Sequence, residues 1–340
     1  HRGSVSRNRA TVEDAKRPGF HLVGFHRGTD FPVTAVSLLV KSHKADLNYA
    51  GRLLSSMRRH NADGLPVFVV VPPRDVDAFR QVAQGVAEVL PESLLAEHLV
   101  SEPTAGFSAG YINQEIVKLA FWKLGASDNY FCVDSDAQFI RDFTSDDFMA
   151  DSTTPFTILT EDKDLRVDPY YFNRIWQGRA KALSVIAQEV GCTGLWPVTA
   201  HGHAIFSATV LKSFEEEFLA PRGWDYADAL RLAPYEPSWY NAWLLHRRPI
   251  PIIRREPLVK TFHTPVDHLD YALRGLSTRD VARGFLAVVV NSNFTRSEGV
   301  LSLGDPLEEV LASHVSTQDL ISSLATKCWP WRRSSSLGVD

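Results

Sequence analysis

The chain has 340 residues, 44% hydrophobic and 22% charged, enough for one large globular domain or two smaller ones. A net charge of −4 with no long basic run argues against a nucleic-acid partner. No apolar run approaches the roughly 18 residues that a membrane span needs.

The first 17 residues carry Arg2, Arg7 and Arg9 but no apolar core, so they read as a leader rather than a signal peptide. Three scattered cysteines, Cys132, Cys192 and Cys328, lack metal-ligand spacing and fit a reducing compartment. A cytoplasmic location is expected, with peripheral attachment at the inner membrane left open.

From residue 33 onward, strand-like runs alternate with amphipathic helices. Val33 to Val40 is β-branched and apolar, as in a strand covered on both faces. Leu47, Ala50, Leu54 and Met57 then recur at helical spacing, and Pro66 to Val71 supplies a second buried strand. Val76, Phe79, Ala83, Val86 and Leu90 predict a helix that Pro91 closes. A third helix is predicted over 108–124, with Ser108 as N-cap and Ile112, Ile116, Leu119 and Ala120 as its apolar stripe. Tyr111, Gln114, Lys118 and Trp122 line another face of it.

That helix runs through Gly125 into a short buried strand, Tyr130 to Val133, with Asp134-Ser135-Asp136 at its carboxyl end. Downstream, Pro155 to Thr160 and Val198 to Phe206 read as strands, with helices around 170–190, 208–219 and 237–246 and a short extended piece at Ile250 to Ile253. The order predicts an α/β fold with a mixed, mainly parallel sheet flanked by helices, in which ligands bind beyond the carboxyl ends of the strands. The residues placed there are Lys41-Ser42-His43-Lys44, Arg74-Asp75 and the acidic triplet.

Two aspartates separated by one residue at the end of a buried strand can offer carboxylate oxygens to a hard divalent cation such as Mn²⁺ or Mg²⁺. Such a cation on the diphosphate of a nucleotide-sugar stabilises the charge left when the anomeric bond breaks. A haloacid-dehalogenase-type phosphatase, with Asp134 as nucleophile, is the rival reading. Gln138 stands where that motif usually has Thr or Val, and the triplet lies far from the start of the chain. A non-catalytic carbohydrate-binding module is a third reading.

The runs Gly110 to Leu119 and Tyr130 to Arg141 resemble a bacterial family of uncharacterised, DUF-type proteins that is similar to GT-A glycosyltransferases. Lys41-Ser42 with Asp46, Val71 to Asp75, Tyr235 to Tyr240 and Phe262-His263-Thr264 match the same pattern, over roughly 33–295. The resemblance implies a GT-A-like, Rossmann-like domain over 31–295, after a flexible leader at 1–30 and before a helical appendage and tail at 296–340. It implies a hexosyltransferase-like enzyme of bacterial surface-polysaccharide synthesis, with a nucleotide-sugar donor, UDP favoured, a glycan or other hydroxyl acceptor and a divalent metal.

By the same resemblance Asp136 is the main metal ligand and takes part in catalysis, Asp134 contacts the metal or the donor ribose, and His263 completes the metal shell, ahead of His268. Lys41, Ser42, Arg74 and Asp75 are expected near base and ribose, and Gln114 and Lys118 against the donor. On the acceptor side, Glu236 is the candidate base, since an inverting transfer needs a group to take the hydroxyl proton. Trp239 is the candidate stacking ring. His201 and His203, two apart on a predicted strand, share a face and are placed at the acceptor.

Overall fold

The structure, a computed structural model, describes residues 34–159, 177–192, 203–262, 271 and 274–290. The leader at 1–30 and the appendage at 296–340 lie outside these, as do His201, His263 and His268.

β1 (Ser37–Lys41) and β2 (Val67–Val71) are buried at every position, as continuous apolar runs require when helices cover both faces. Between them α1 (Leu47–His60) buries Ala50, Leu53, Leu54 and Met57. α2 (Val76–Ala83) is shorter than its periodicity predicts. Gly85, at φ 67, reverses the chain after it, and Glu88–Pro91 forms β3, a parallel neighbour of β2. Val86 and Leu90 therefore continue the apolar stripe without continuing the helix.

α3 (Ala109–Ala120) starts where the Ser108 side chain accepts the Tyr111 N–H at 3.2 Å. β4 (Asn129–Cys132) follows, then the unpredicted β5 (Ala137–Phe139) and the two-residue β6 (Thr157–Ile158). Next come α4 (Gln177–Val190), β7 (Ile205–Ser207) and α5 (Ala208–Phe214), which continues as a wider helical turn to Leu219. α6 (Tyr226–Leu232), not foreseen, precedes α7 (Glu236–Arg247). β8 (Arg254–Arg255), β9 (Val259–Phe262), α8 (Thr278–Val281) and β10 (Ala287–Val290) complete the described elements. Pairing to β6 falls on Arg254 and Arg255, just after the extended piece expected at Ile250 to Ile253.

The main sheet has the order β3-β2-β1-β4-β7, parallel throughout except for β7 against β4. A second sheet, β5-β10-β9, and the β6-β8 pair stand beside it. The expected mixed, mainly parallel sheet flanked by helices is thus the architecture found.

Alternation along the strands splits the core into two layers. Leu39, Phe68, Val70, Tyr130 and Cys132 face α3, α5, α6 and α7. Leu38, Val40, Val67, Val69, Phe131 and Val133 face α1, α2 and the second sheet. Among the described residues no helix is long and apolar enough to cross a membrane.

Candidate functional site

The chain runs β1, β2, β3 outward to one side and then returns to place β4 on the other side of β1. This is a topological switch point, where the two loops diverge and leave a crevice beyond the strand ends. Ser42-His43-Lys44 leaves β1 there, and Val133-Asp134-Ser135-Asp136 leaves β4. The Val133 N–H still pairs with the Leu39 carbonyl at 3.0 Å, and the Ala137 N–H closes a turn on the Asp134 carbonyl at 3.1 Å. The acidic pair therefore sits in a backbone-fixed turn between two ordered strands, β4 and β5.

One side chain ties that turn across the crevice. Asp46 accepts the Ser135 hydroxyl at 3.3 Å and meets His43 Nδ1 at 3.1 Å, both through Oδ2. The middle residue of the triplet is thereby anchored to the loop after β1. Asp46 appears in the family pattern, but nothing in the sequence signals this contact, which spans 89 positions.

Beneath the turn lies a buried charge cluster. Lys118, on α3, places Nζ 2.9 Å from Glu236 Oε1 and 3.5 Å from Asp134 Oδ1; the Lys118 and Glu236 side chains are only 5% and 4% exposed. The Tyr130 hydroxyl donates to the Lys118 carbonyl at 2.7 Å and pins this stretch of α3 to β4. Glu236 opens α7, where the helix N-terminus favours a negative charge. His203, just before β7, brings Nε2 to 3.9 Å from the other Asp134 oxygen.

Burial opposes ionisation of Asp134, but the Lys118 ammonium and then His203 outweigh it and hold the carboxyl below its ordinary range. Burial likewise works against the charge of Lys118, yet Glu115 and Asp134 keep its pKa above the usual lysine value. Lys118 is thus held in its charged form by the protein carboxylates it pairs with. Expected against the donor, Lys118 is found in an internal bridge between α3, the acidic turn and α7.

Glu115, one helical turn before Lys118, is the odd member. It is buried, and its Oε2 has no hydrogen-bond partner. Burial first, and Asp134 second, push its carboxyl from 4.5 up to about 7 against the pull of Lys118. The folded state holds this proton more tightly than the unfolded chain does. Its contribution to stability is full below about pH 4.5 and is lost as pH rises through about 7. Glu115→Gln is expected to remove that fall and to be more stable than wild type at pH 8, by on the order of 3 kcal/mol at most. Thermal melts at pH 5 and pH 8 check this; an unchanged pH dependence contradicts it.

The residues expected near base and ribose do gather beyond β1 and β2, with most of their polar groups engaged by the protein. Lys41 pairs with Glu92 at 2.9 Å and donates to the Ser42 carbonyl at 3.1 Å. Burial depresses its pKa, and Glu92 offsets that only in part. Asp75 is buried and accepts the Lys44 N–H at 3.0 Å, so it shapes the loop after β1. Arg74 is exposed, 3.9 Å from Asp75. The Ser42 hydroxyl is buried without a hydrogen-bond partner, and Gln114 is half-buried on α3.

Two expectations are corrected. Trp239 is 0% exposed, packed against Phe214 and Phe218, with its indole N–H on the Ala233 carbonyl at 2.8 Å. It is a core residue and cannot offer a face to an acceptor. Glu236 is not an open base either, because its Oε1 is occupied by Lys118. Cys132 is buried with its thiol pushed up by burial, in keeping with a packing role.

Among the described residues no group of three or more His, Cys, Asp or Glu side chains is arranged to hold a metal. Asp134 and Asp136 are the two carboxylates of the acidic turn.

The model of a family of unknown function, DUF6492, matches residues 33–264. No curated protein matches the sequence. Among solved structures, mouse xyloside xylosyltransferase 1 in its apo form is similar at 13% identity and a TM-score of 0.43, over 76% of this chain and 99% of that one. The apo structure of the bifunctional glycosyltransferase WbbM is similar at 14% identity and a TM-score of 0.45, over 88% of this chain and 53% of that one.

Proposed function

The chain belongs to the DUF6492 family, whose function is unknown, and from the chemistry of its site we propose that it is a metal-dependent glycosyltransferase. It moves a sugar from a nucleotide-sugar donor to a glycan or other hydroxyl acceptor, with bacterial surface-polysaccharide assembly as the setting. The observation that carries this reading is the position of Asp134-Ser135-Asp136: a fixed turn at the switch point, tied to the β1 loop by Asp46 and to α3 by Lys118.

Charge favours a cation here. Asp134 and Glu236 share one lysine below the turn, so added positive charge at its outer edge lowers the energy of the cluster. The donor set suits a hard ion, which is commonly held by one or two carboxylates and completed by substrate phosphates. By the family resemblance Asp136 would be the principal ligand, and Asp134, which Lys118 and His203 face, an auxiliary one. When bound, Mn²⁺ or Mg²⁺ supplies Lewis-acid stabilisation of the departing diphosphate.

The chain's own residues supply position. Lys118 keeps Asp134 ionised and orients it, and Asp46 fixes Ser135 between the two carboxylates. Glu236 secures α7 against the turn through Lys118, a positioning role that replaces direct proton abstraction. The acceptor's proton then falls to a group within reach of the crevice. Among the described residues two imidazoles flank the turn, His203 beside Asp134 and His43 beside Asp46.

Release of nucleoside diphosphate from UDP-, GDP- and dTDP-sugars, with Mn²⁺ or Mg²⁺ and again with a chelator, tests this reading. At least one donor, a UDP-sugar first, is expected to turn over and to stop with the chelator. Hydrolysis of phosphomonoesters through an aspartyl-phosphate at Asp134, with no sugar transfer, would overturn it.

A further inference from the structure

With Trp239 inside the core, the site needs another surface for the apolar face of a sugar ring. The structure offers one at the start of α3. Among the described residues Phe107 is the one exposed Phe, Tyr or Trp side chain, at 37%. Its ring stacks on Tyr111 with centroids 4.8 Å apart and planes 23° from parallel.

The backbone is bent to display it. Thr104 and Phe107 exchange both hydrogen bonds, at 3.0 and 2.9 Å, across a two-residue turn. Ala105 at φ 53 and Gly106 at φ 82 give the turn its left-handed form, which glycine adopts freely and alanine does not. Left-handed alanine costs about 1–2 kcal/mol. Strain of this kind persists where the surrounding structure uses the conformation.

The exposed ring leads directly to the charged cluster. Tyr111, Glu115 and Lys118 fall on one face of α3, at spacings of four and three. The Tyr111 hydroxyl reaches the Pro234 carbonyl at 3.4 Å, while Lys118 meets Glu236 two residues on. Segment 234–236 therefore runs along this stripe, with Tyr235 between the two contacts and the Arg179 guanidinium 5.3 Å above its ring. Phe107 thus presents its outer ring face, with Tyr111 and Tyr235 behind it along the stripe that ends at Lys118.

We infer that Phe107, Tyr111 and Tyr235 form the acceptor subsite, a lip on which a pyranose ring lays its apolar face while its hydroxyls turn toward the polar floor. This deepens the transferase reading and rests on it for the word acceptor. The lip is built on α3 and the segment leading into α7, which carries Glu236. The nucleotide side is formed instead by the loops after β1 and β4. A sugar fits this pairing because it has one weakly polar face and a rim of hydroxyls.

Saturation-transfer NMR and titration with methyl glycosides of xylose, glucose, galactose and mannose test the lip without any need for turnover. The proteins are wild type, Phe107→Ala and Phe107→Trp. At least one glycoside is expected to bind wild type through its ring-face protons, to bind Phe107→Ala about tenfold more weakly, and to bind Phe107→Trp as well as wild type. Binding of UDP with Mn²⁺ should be the same in all three.

Absence of glycoside binding to wild type, or full binding to Phe107→Ala, overturns the inference. Weakened UDP binding with unchanged glycoside binding also overturns it, and makes the lip a base platform. Glycoside binding that depends on Phe107 without any metal-dependent nucleotide binding leaves the lip as a sugar site and sinks the transferase reading instead.

Discussion

Lys118→Met is expected to destabilise the protein by about 3–5 kcal/mol, since it removes the only lysine that pairs with Glu236 and Asp134 among the described contacts. Methionine fills much the same volume, so the loss is electrostatic. Glu236 would be left nearly sealed from water with no cation beside it, and an uncompensated buried carboxylate is among the costliest single defects. Lys118→Met/Glu236→Gln should recover most of the stability, because the second change removes the stranded charge. Chemical denaturation of the two single variants and the double variant measures the coupling. A Lys118→Met loss under 1 kcal/mol, or no recovery in the double variant, means the bridge contributes little. Lys118→Arg separates charge from shape: it keeps the charge but must fit a planar fork where an ammonium sits.

Asp136→Asn is expected to lower turnover roughly a thousandfold, about 4 kcal/mol of transition-state stabilisation, while leaving the fold intact. An amide keeps the shape of the turn and one oxygen donor but removes the charge that holds the cation. The residue is half-buried in a turn closed by the backbone, so stability should change by less than about 1 kcal/mol. Asp134→Asn should differ in kind. It removes a carboxylate that Lys118 holds, so it should weaken the fold as well as the activity. Parallel melts and kinetics on both variants make the distinction. Equal activity loss with equal destabilisation in the two would contradict the division of roles.

The pattern of the two predictions shows where sequence alone reaches. β1, β2, α1 and α3 were legible because their periodicities are local and unbroken, and the acidic turn was legible because it follows a buried strand. β3 was hidden because Val86 and Leu90 keep a helical rhythm across Gly85, so the pattern outlasts the helix that began it. β5 was missed for another reason. It is three residues long, and its partner, β10, lies far away in the chain.

The site divides in the same way. Asp134, Asp136, Lys118 and His203 could be picked out by type and position, and the structure brings Lys118 and His203 to Asp134. What each is bonded to could not be read. The Lys118–Glu236 contact crosses 118 positions, and it turns a candidate donor contact and a candidate base into one buried pair. Trp239 shows the converse limit. Helical spacing identified an aromatic helix, but α7 is buried over most of its length, so spacing could not say that the ring points inward.

Phe107 carried no periodic signal at all. Its display depends on the left-handed backbone at Ala105 and Gly106, and Ala-Gly is a weaker turn signature than Asn-Gly or Asp-Gly.

Calorimetric titration of the wild-type chain with UDP, GDP and dTDP, each with Mn²⁺ and with a chelator, tests the central claim most directly. The account predicts that at least one nucleotide, UDP first, binds with Mn²⁺ and loses most of its affinity in the chelator. Binding of every nucleotide that is absent, or equally tight with and without the metal, would contradict it.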